Sequence, residues 1–285
     1  MDKLKARDLD DLELAKLIED HFGLDKLKKY PSGVWYFDEH VWHLMSDAKL
    51  KADATYVLSQ NIDQLKDSRV KAAINIFKAN HFEEDERFEL GDPNIIVLQD
   101  GYYRFDDDCW VKFPPDCDLM RRVQIPANYV DNQPVAFNRF LDEILCDACG
   151  HTRPDANDLR QLIWEMLGYC LVTHAKYEQC FILCGAGANG KSVLGAVAKE
   201  MVGRNHTASV QPNQMGSVFQ RSNLEGKLLN LVTELNQNAE LEDGMLKAVI
   251  SGEMMSVEKK HQDVRVIEPF AKHIILTNHM PRIRD

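Results

Sequence analysis

The chain has 285 residues, 45% of them hydrophobic, which is enough for two domains with packed cores. Charged residues are interleaved with apolar ones throughout, which excludes a long disordered segment, and no uncharged apolar run approaches the roughly 18 residues of a membrane span. The first residues lack the apolar core of a signal peptide, and the seven cysteines indicate reduced thiols, so we expect a cytoplasmic protein without a membrane partner.

The formal net charge of −11 is unevenly distributed. Residues 1–175 hold 21 Lys and Arg against 33 Asp and Glu, whereas residues 176–285 hold 13 against 12. Broad, nonspecific coating of duplex nucleic acid by the whole surface is therefore excluded. A few cations in one channel of the C-terminal part would still suffice to bind a single strand.

The first 90 residues predict an α+β region to which the sequence assigns no role. Leucines and isoleucines near helical spacing predict an amphipathic helix that ends at Gly23. Aromatic residues on both sides of Asp38 and Glu39 then favour a β-hairpin, and the run 52–82 returns to a helical pattern.

Residues 91–175 predict a mostly helical domain with a β-hairpin. The Asp100-Gly101 pair is typical of a tight primed turn, in which both central residues have positive φ. Amphipathic helices are predicted over 135–148 and 156–173. We place a domain boundary after this second helix, near residue 175.

Residues 176–285 have the pattern of an α/β domain. CFILC, LLNLVTEL and HIILTN are short apolar runs that predict strands buried on both faces, and SVLGAVAKEMV predicts a helix ending at Gly203. A parallel central sheet with helices on its faces is the expected architecture.

The strongest motif is G-x-x-x-x-G-K-[ST], which follows the first of these strands and opens the helix. Its glycines let the backbone wrap around phosphates, Lys191 supplies a cation to the β and γ oxygens, and the Ser192 hydroxyl can bind Mg²⁺. We therefore predict a P-loop nucleotide-binding domain that takes ATP and Mg²⁺. The predicted binding residues are Gly185, Ala186, Gly187, Ala188, Asn189, Gly190, Lys191, Ser192 and Val193.

Two polar residues follow the other predicted strands. Glu234 comes directly after LLNLVT, where a carboxylate can orient the metal's water shell and polarise an attacking water. Asn278 ends the third strand, where its amide can bind the γ-phosphate or the lytic water. With Lys191 these two residues form the predicted catalytic set, and Ser192 and Glu234 form the predicted metal site.

The segments GAGANGKSVL, LVTELN, LKAVISGEMMSVEKKHQ and HIILTNHMPRIRD resemble, in this order and spacing, the superfamily III helicases. The similarity is greatest to the primase-helicases of phages, plasmids and large DNA viruses. It covers roughly residues 90–285 and is strong after residue 180.

This resemblance implies an AAA+ type ATPase that assembles as a ring, usually a hexamer, and moves 3′ to 5′ along single-stranded DNA. It also implies a primase or an initiator as a further partner. The family pattern places a β-hairpin between the second and third motifs, with a basic tip that grips the strand. By that pattern Lys259, Lys260 and His261 fall at the tip.

One departure from the family pattern lowers the expected turnover. Family members continue into a segment whose arginine reaches the γ-phosphate of the neighbouring subunit, whereas this sequence stops at Asp285. Arg282 and Arg284 lie too close to the third strand to take that role. Since loss of such an arginine can cost a factor of about 10³ or more, we expect ATP binding with weak turnover.

Alternatives remain open at this stage. A truncated ATP-binding regulator or scaffold of a replication complex, without unwinding activity, fits the same motifs, and a small-molecule kinase is disfavoured because no Arg-rich lid follows Glu234. Cys146 and Cys149 have the spacing of a zinc knuckle beside His151, but they form one pair only, so unligated thiols are favoured.

Overall fold

The computed structural model forms two compact units, one of residues 1–91 and 114–122, the other of residues 92–113 and 123–285. The predicted segments 91–175 and 176–285 both lie mainly in the second unit, and the boundary between them stays a prediction. The residues that the structure describes are 4–5, 9–107, 109–146, 150–235, 240–260, 264–280 and 282–284.

The first unit combines helices with a small antiparallel sheet, as predicted. Its elements are β1 (Leu4–Lys5), α1 (Asp11–Phe22), β2 (Leu27–Tyr30), β3 (Gly33–Phe37), β4 (Trp42–Met45), α2 (Asp47–Asn61), β5 (Ile62–Asp63) and α3 (Asp67–Asn80). Helix α1 begins with a capping box between Asp10 and Glu13 and ends at Gly23, as the sequence indicates. The helical run predicted over 52–82 is interrupted, because the chain is extended at Ile62 and has a positive φ at Gln64.

The second unit begins with a β-hairpin whose turn differs from the prediction. Strands β6 (Ile96–Leu98) and β7 (Gly101–Asp106) pair so that Leu98 faces Gly101, which leaves Gln99 and Asp100 as the central residues. Neither of these two has a positive φ, so the turn is not a primed one. The Asp100 carboxylate instead accepts hydrogen bonds from Tyr103 Oη, Lys112 Nζ and Tyr129 N, which hold the pKa of Asp100 down to about 2.

Beyond β7 the second unit is α/β. No helix in the described ranges combines the length and the apolar composition of a membrane span. The elements are β8 (Cys109–Phe113), α4 (Val135–Ile144), α5 (Ala156–Tyr169), β9 (Cys180–Cys184), α6 (Lys191–Val202), β10 (Thr207–Ala208), α7 (Val218–Arg221), β11 (Leu229–Val232), β12 (Glu240–Glu242), α8 (Asp243–Ser251), β13 (Met255–Val257), β14 (Arg265–Ile267), β15 (Lys272–Thr277) and β16 (Arg282–Arg284).

The predicted parallel sheet is present, in the order β10-β11-β15-β9 among the described strands. All six residues of β15 are buried, which fits the apolar run 274–276 at its centre. Helix α6 packs closely on the sheet at Gly195, where an added Cβ would lie 2.9 Å from Leu276 Cδ1 and 3.3 Å from Leu231 Cδ1.

A buried polar network crosses this sheet. Asn230 Oδ1 accepts from Val210 N (2.7 Å) and Asn230 Nδ2 donates to Val210 O (2.9 Å), so the orientation of the Asn230 amide is fixed. Its Nδ2 also lies 3.1 Å from Nδ1 of His273, which therefore accepts, and the imidazole proton sits on Nε2. Desolvation, and secondly the charge of Lys272, lower the pKa of His273 to about 4.

Protonation of His273 should destabilise the protein as the pH falls. The unfolded chain binds a proton near pH 6.5 and the folded chain only near pH 4, so this site's contribution to the free energy of unfolding is lost as the pH falls from about 6.5 to 4. The loss amounts to at most about 1.4 kcal/mol per pH unit. Urea denaturation between pH 6.5 and 4.5 measures it.

The variant His273→Gln cannot titrate in this window and should show a shallower decrease in stability than the wild type. His21→Gln, on the exposed face of α1, is the matched control for the substitution. Identical pH profiles for wild type and His273→Gln would contradict this assignment.

Candidate functional site

The 185–192 loop connects β9 to α6, in the strand–loop–helix order that the sequence predicts. Gly185 N donates to Thr277 O (3.2 Å), so the start of the loop is attached to the end of β15. Helix α6 begins at Lys191, which places Ser192 in its first turn. The first amides of a helix have no partner within it, so this end of α6 is suited to an anion.

Lys191 lies under the loop that precedes it. Its Nζ donates to Gly185 O (2.6 Å), Ala186 O (3.0 Å) and Asn189 Oδ1 (2.8 Å). The loop backbone therefore curves around the ammonium group, which uses its three donors within the loop. An anion that enters the loop would meet this cation and the helix amides together.

The predicted binding residues around Lys191 are accessible. Ala186, Gly187, Ala188 and Asn189 are exposed, and so are Ser192 and Val193 in the first turn of α6. Gly190 differs, because it has φ +83° and an added Cβ would lie 2.8 Å from Ile144 Cγ2 and 3.1 Å from Phe140 Cζ. Helix α4 thus packs directly against the end of the loop.

The sheet brings the other two predicted catalytic residues to the same edge. Ile275 of β15 pairs with both Val232 of β11 and Ile182 of β9, so the three strands end at nearly the same level. Glu234 follows β11, Asn278 follows β15, and both are exposed. Lys191, Glu234 and Asn278 therefore share the carboxyl edge of the sheet, and their catalytic roles stay predictions.

Two residues that the sequence reasoning missed fix the backbone at this edge. Thr277 Oγ1 donates to His279 O (2.7 Å) and accepts from His279 N (3.2 Å), which forms a tight turn with Asn278 at its tip. Gln211 Nε2 donates to Glu234 O (3.5 Å). The Thr277 contact has a sequence signal, a hydroxyl residue at the end of a buried strand, whereas the Gln211 contact is long-range and has none.

The predicted basic hairpin consists of β13 and β14, which pair antiparallel. At its tip Lys260 is exposed, whereas Lys259 Nζ lies 2.9 Å from Glu225 Oε2. Arg265 donates to the same carboxylate, so Glu225 ties the base of the hairpin to the chain before β11. His261 lies outside the described residues.

The cysteines give no support for a zinc site among the described residues. Cys146 Sγ donates to Asp142 O (3.2 Å) within one helical turn, and Cys149 lies outside the described residues. Burial raises the pKa of the Cys180 thiol to about 11, so this thiol stays protonated and inert. Within the described ranges, the cluster whose donor atoms could converge on an ion is Asp116, Cys117 and Asp118, in the first unit.

Two families match different parts of the chain. Residues 15–146 match the family described as D5 N terminal like, and residues 183–285 match a family of unknown function, DUF5906. The second match contains the 185–192 loop, Glu234 and Asn278.

Individual proteins match nearly the whole chain. It is 22% identical to "Putative helicase L207/L206" of Acanthamoeba polyphaga mimivirus, over 95% of this chain and 32% of that protein. Two apo structures of the NrS-1 C-terminal region share the fold, each at 13% identity, with TM-scores of 0.56 and 0.55. The first alignment covers 96% of this chain and 58% of that structure, and the second covers 95% and 57%.

The chain spans about a third of the length of the curated relative that it matches and just over half of the solved structures. These matches confirm the predicted resemblance to the primase-helicases of phages and large DNA viruses.

Replacing Gly190 by alanine should destabilise the loop, whereas replacing Gly187 by alanine should not. Gly190→Ala forces a side chain into a left-handed conformation against Ile144 and Phe140, which we expect to cost about 1–3 kcal/mol. Gly187 has open space around it, so Gly187→Ala is the matched control. Thermal unfolding without nucleotide should show a midpoint several degrees lower for Gly190→Ala alone, and equal midpoints would contradict the packing described.

Proposed function

From its relationship to the phage and viral primase-helicases, we propose that this chain carries the ATPase core of a replicative DNA helicase. The observation that supports this proposal best is the shared carboxyl edge of β9, β11 and β15. There an anion-binding loop with Lys191 meets a carboxylate, Glu234, and an amide, Asn278. The fold we propose is an α/β P-loop NTPase of the AAA+ type.

ATP would bind with its β and γ phosphates in the 185–192 loop. The first amides of α6 and the Lys191 ammonium face the phosphate oxygens, and the lysine exchanges its bonds to Gly185 O and Ala186 O for them. Because Gly190 has no Cβ, the loop backbone can lie close to the side chains of α4. These contacts recognise the phosphates and leave the base to other residues.

Ser192 and Glu234 would hold Mg²⁺. The donor set fits this ion, since both are exposed oxygen ligands at one edge of the sheet and Mg²⁺ prefers oxygen. When bound, Mg²⁺ would supply positive charge that neutralises the charge developing on the phosphates. Glu234 also accepts a hydrogen bond from the attacking water, and Asn278 donates to the γ-phosphate.

Single-stranded DNA is the substrate that we propose for the motor. The exposed Lys260 lies at the tip of the β13–β14 hairpin, and lysines bind phosphates without reading sequence. We further propose that copies of the protein form a ring, usually a hexamer, in which an arginine of the neighbouring subunit reaches the γ-phosphate. A primase or an initiator is a further proposed partner.

ATP turnover, measured with and without oligothymidylate, tests the proposal. We expect DNA to stimulate turnover, and Lys191→Ala to reduce it by roughly 100-fold or more because a cation facing the transferred phosphoryl group is lost. Lys199→Ala, in the last turn of the same helix, is the matched control and should retain turnover. Glu234→Gln should bind ATP with little change while it lowers kcat by roughly 10²–10⁴.

Light scattering on the same samples follows assembly. Nucleotide binding by a monomer with no detectable turnover, in place of the weak turnover expected of this chain, would contradict the motor and favour a nucleotide-binding regulator or scaffold. Turnover that survives Lys191→Ala would contradict the assignment of the site itself.

A further inference from the structure

A second polar cavity lies beside the edge strand of the sheet. It has a volume of about 480 Å³, and no residue of the 185–192 loop lines it. β10 and the two residues after it form one wall, and the chain before β11 forms the other. The lining residues are Thr207, Ala208, Ser209, Val210, Gln220, Ser222, Asn223, Glu225, Lys227 and Lys259.

Positive charge prevails in this cavity. Glu225 is bound by both Lys259 and Arg265, so its carboxylate is shared between two cations. Lys227 is a third cation, and its Nζ donates to the neutral Asn205 O (2.5 Å). Of the charged residues that line the cavity, Lys227 and Lys259 are cations and Glu225, whose carboxylate Arg265 also binds, is an anion. An anionic ligand therefore balances the remaining positive charge.

Lys227 is placed to interact with an anion at short range. It is partly buried, and desolvation, followed by the charge of Lys259, lowers its pKa, while Glu225 acts in the opposite direction. The two ammonium groups therefore destabilise each other, and an anion between them would relieve this repulsion. Partial burial also reduces the screening of that attraction by water and salt.

The rest of the lining fits a phosphate group. Ser209 carries a hydroxyl, and the Asn223 amide has a second N–H besides the one that it donates to Gln220 O. The hydroxyls of Thr207 and Ser222 donate to Gly203 O and Phe219 O, and the apolar side chains that the cavity's lining includes are Ala208 and Val210. Among the described residues, the lining includes no aromatic side chain on which a base could stack. A site of this kind contacts the phosphate backbone and reads no sequence.

We propose that this cavity binds a phosphate group through Lys227 and Lys259, and that the phosphate belongs to a single strand of DNA. The assignment of the phosphate to DNA rests on the proposed function, because Lys259 lies on the hairpin that is predicted to bind DNA. Lys227 thereby becomes a DNA contact outside the hairpin, and Glu225 holds Lys259 at the cavity.

Fluorescence anisotropy with a labelled oligothymidylate at several salt concentrations tests whether Lys227 contacts single-stranded DNA. Lys227→Gln should weaken binding roughly tenfold, as expected for the loss of one charged hydrogen bond. It should also reduce the slope of log K against log[salt] by about 0.7, because one fewer phosphate is neutralised. Lys227→Arg keeps the charge and should restore most of both.

Lys199→Gln is the control for an unrelated lysine of the same unit, and thermal unfolding of each variant establishes that it folds. Lys227→Gln with wild-type affinity and wild-type salt slope would overturn the proposal.

A second titration distinguishes the two sources of phosphate. Inorganic pyrophosphate is titrated into Lys191→Ala, with and without Lys227→Gln, so that the 185–192 loop contributes little. Pyrophosphate binding that depends on Lys227, together with unchanged DNA affinity, would overturn DNA as the source and assign the cavity to a small phosphate ligand.

The experiments distinguish failure of the cavity proposal from failure of the proposed motor function. Lys227-dependent DNA binding without ATP turnover would support the cavity and contradict the proposed function. DNA-stimulated turnover with no effect of Lys227→Gln on DNA affinity would do the reverse.

Discussion

The register of β15 between β11 and β9 is the constraint on which the candidate site depends. One residue, Ile275, is paired on both sides, so the ends of three strands come to one level. The 185–192 loop and Asn278 follow those ends directly, and Glu234 is the second residue after β11. Residues up to 93 positions apart in sequence thus reach one edge of the sheet. A slip of one residue in β15 would move Asn278 and turn every buried side chain of that strand to the other face.

Buried polar groups restrict this register further. Asn230 binds both backbone groups of Val210 and also His273, so a shift of β11 against β15 would leave several polar groups without partners. Lys272 is buried beside this network, where its Nζ donates to Phe270 O (2.9 Å) and Val172 O, and desolvation lowers its pKa to about 7. These groups cost desolvation energy, and the hydrogen bonds that Asn230, His273 Nδ1 and Lys272 make are available in this pairing of the strands.

The sequence predicted the features that local patterns encode. A few adjacent residues suffice to predict the glycine-rich loop, the helix that starts at Lys191 and the apolar strands. The turn at Asp100 was displaced by one residue because the carboxylate binds Tyr103, Lys112 and Tyr129, a tertiary effect that outweighs the Asp-Gly preference. The sequence patterns did not predict the two-residue strand β10 or the cavity beside it. Lys227 and Lys259 come to line one cavity only when the chain folds.

The roles proposed for Lys191, Glu234 and Asn278 all require that a nucleoside triphosphate binds in the 185–192 loop. Hydrogen exchange with and without Mg²⁺ and a slowly hydrolysed ATP analogue tests it most directly, because it reports binding residue by residue and needs no turnover. We expect protection to increase at the loop amides and the first turn of α6, with a smaller change around Glu234 and Asn278. Unchanged exchange in the loop, at analogue concentrations that saturate binding, would contradict it.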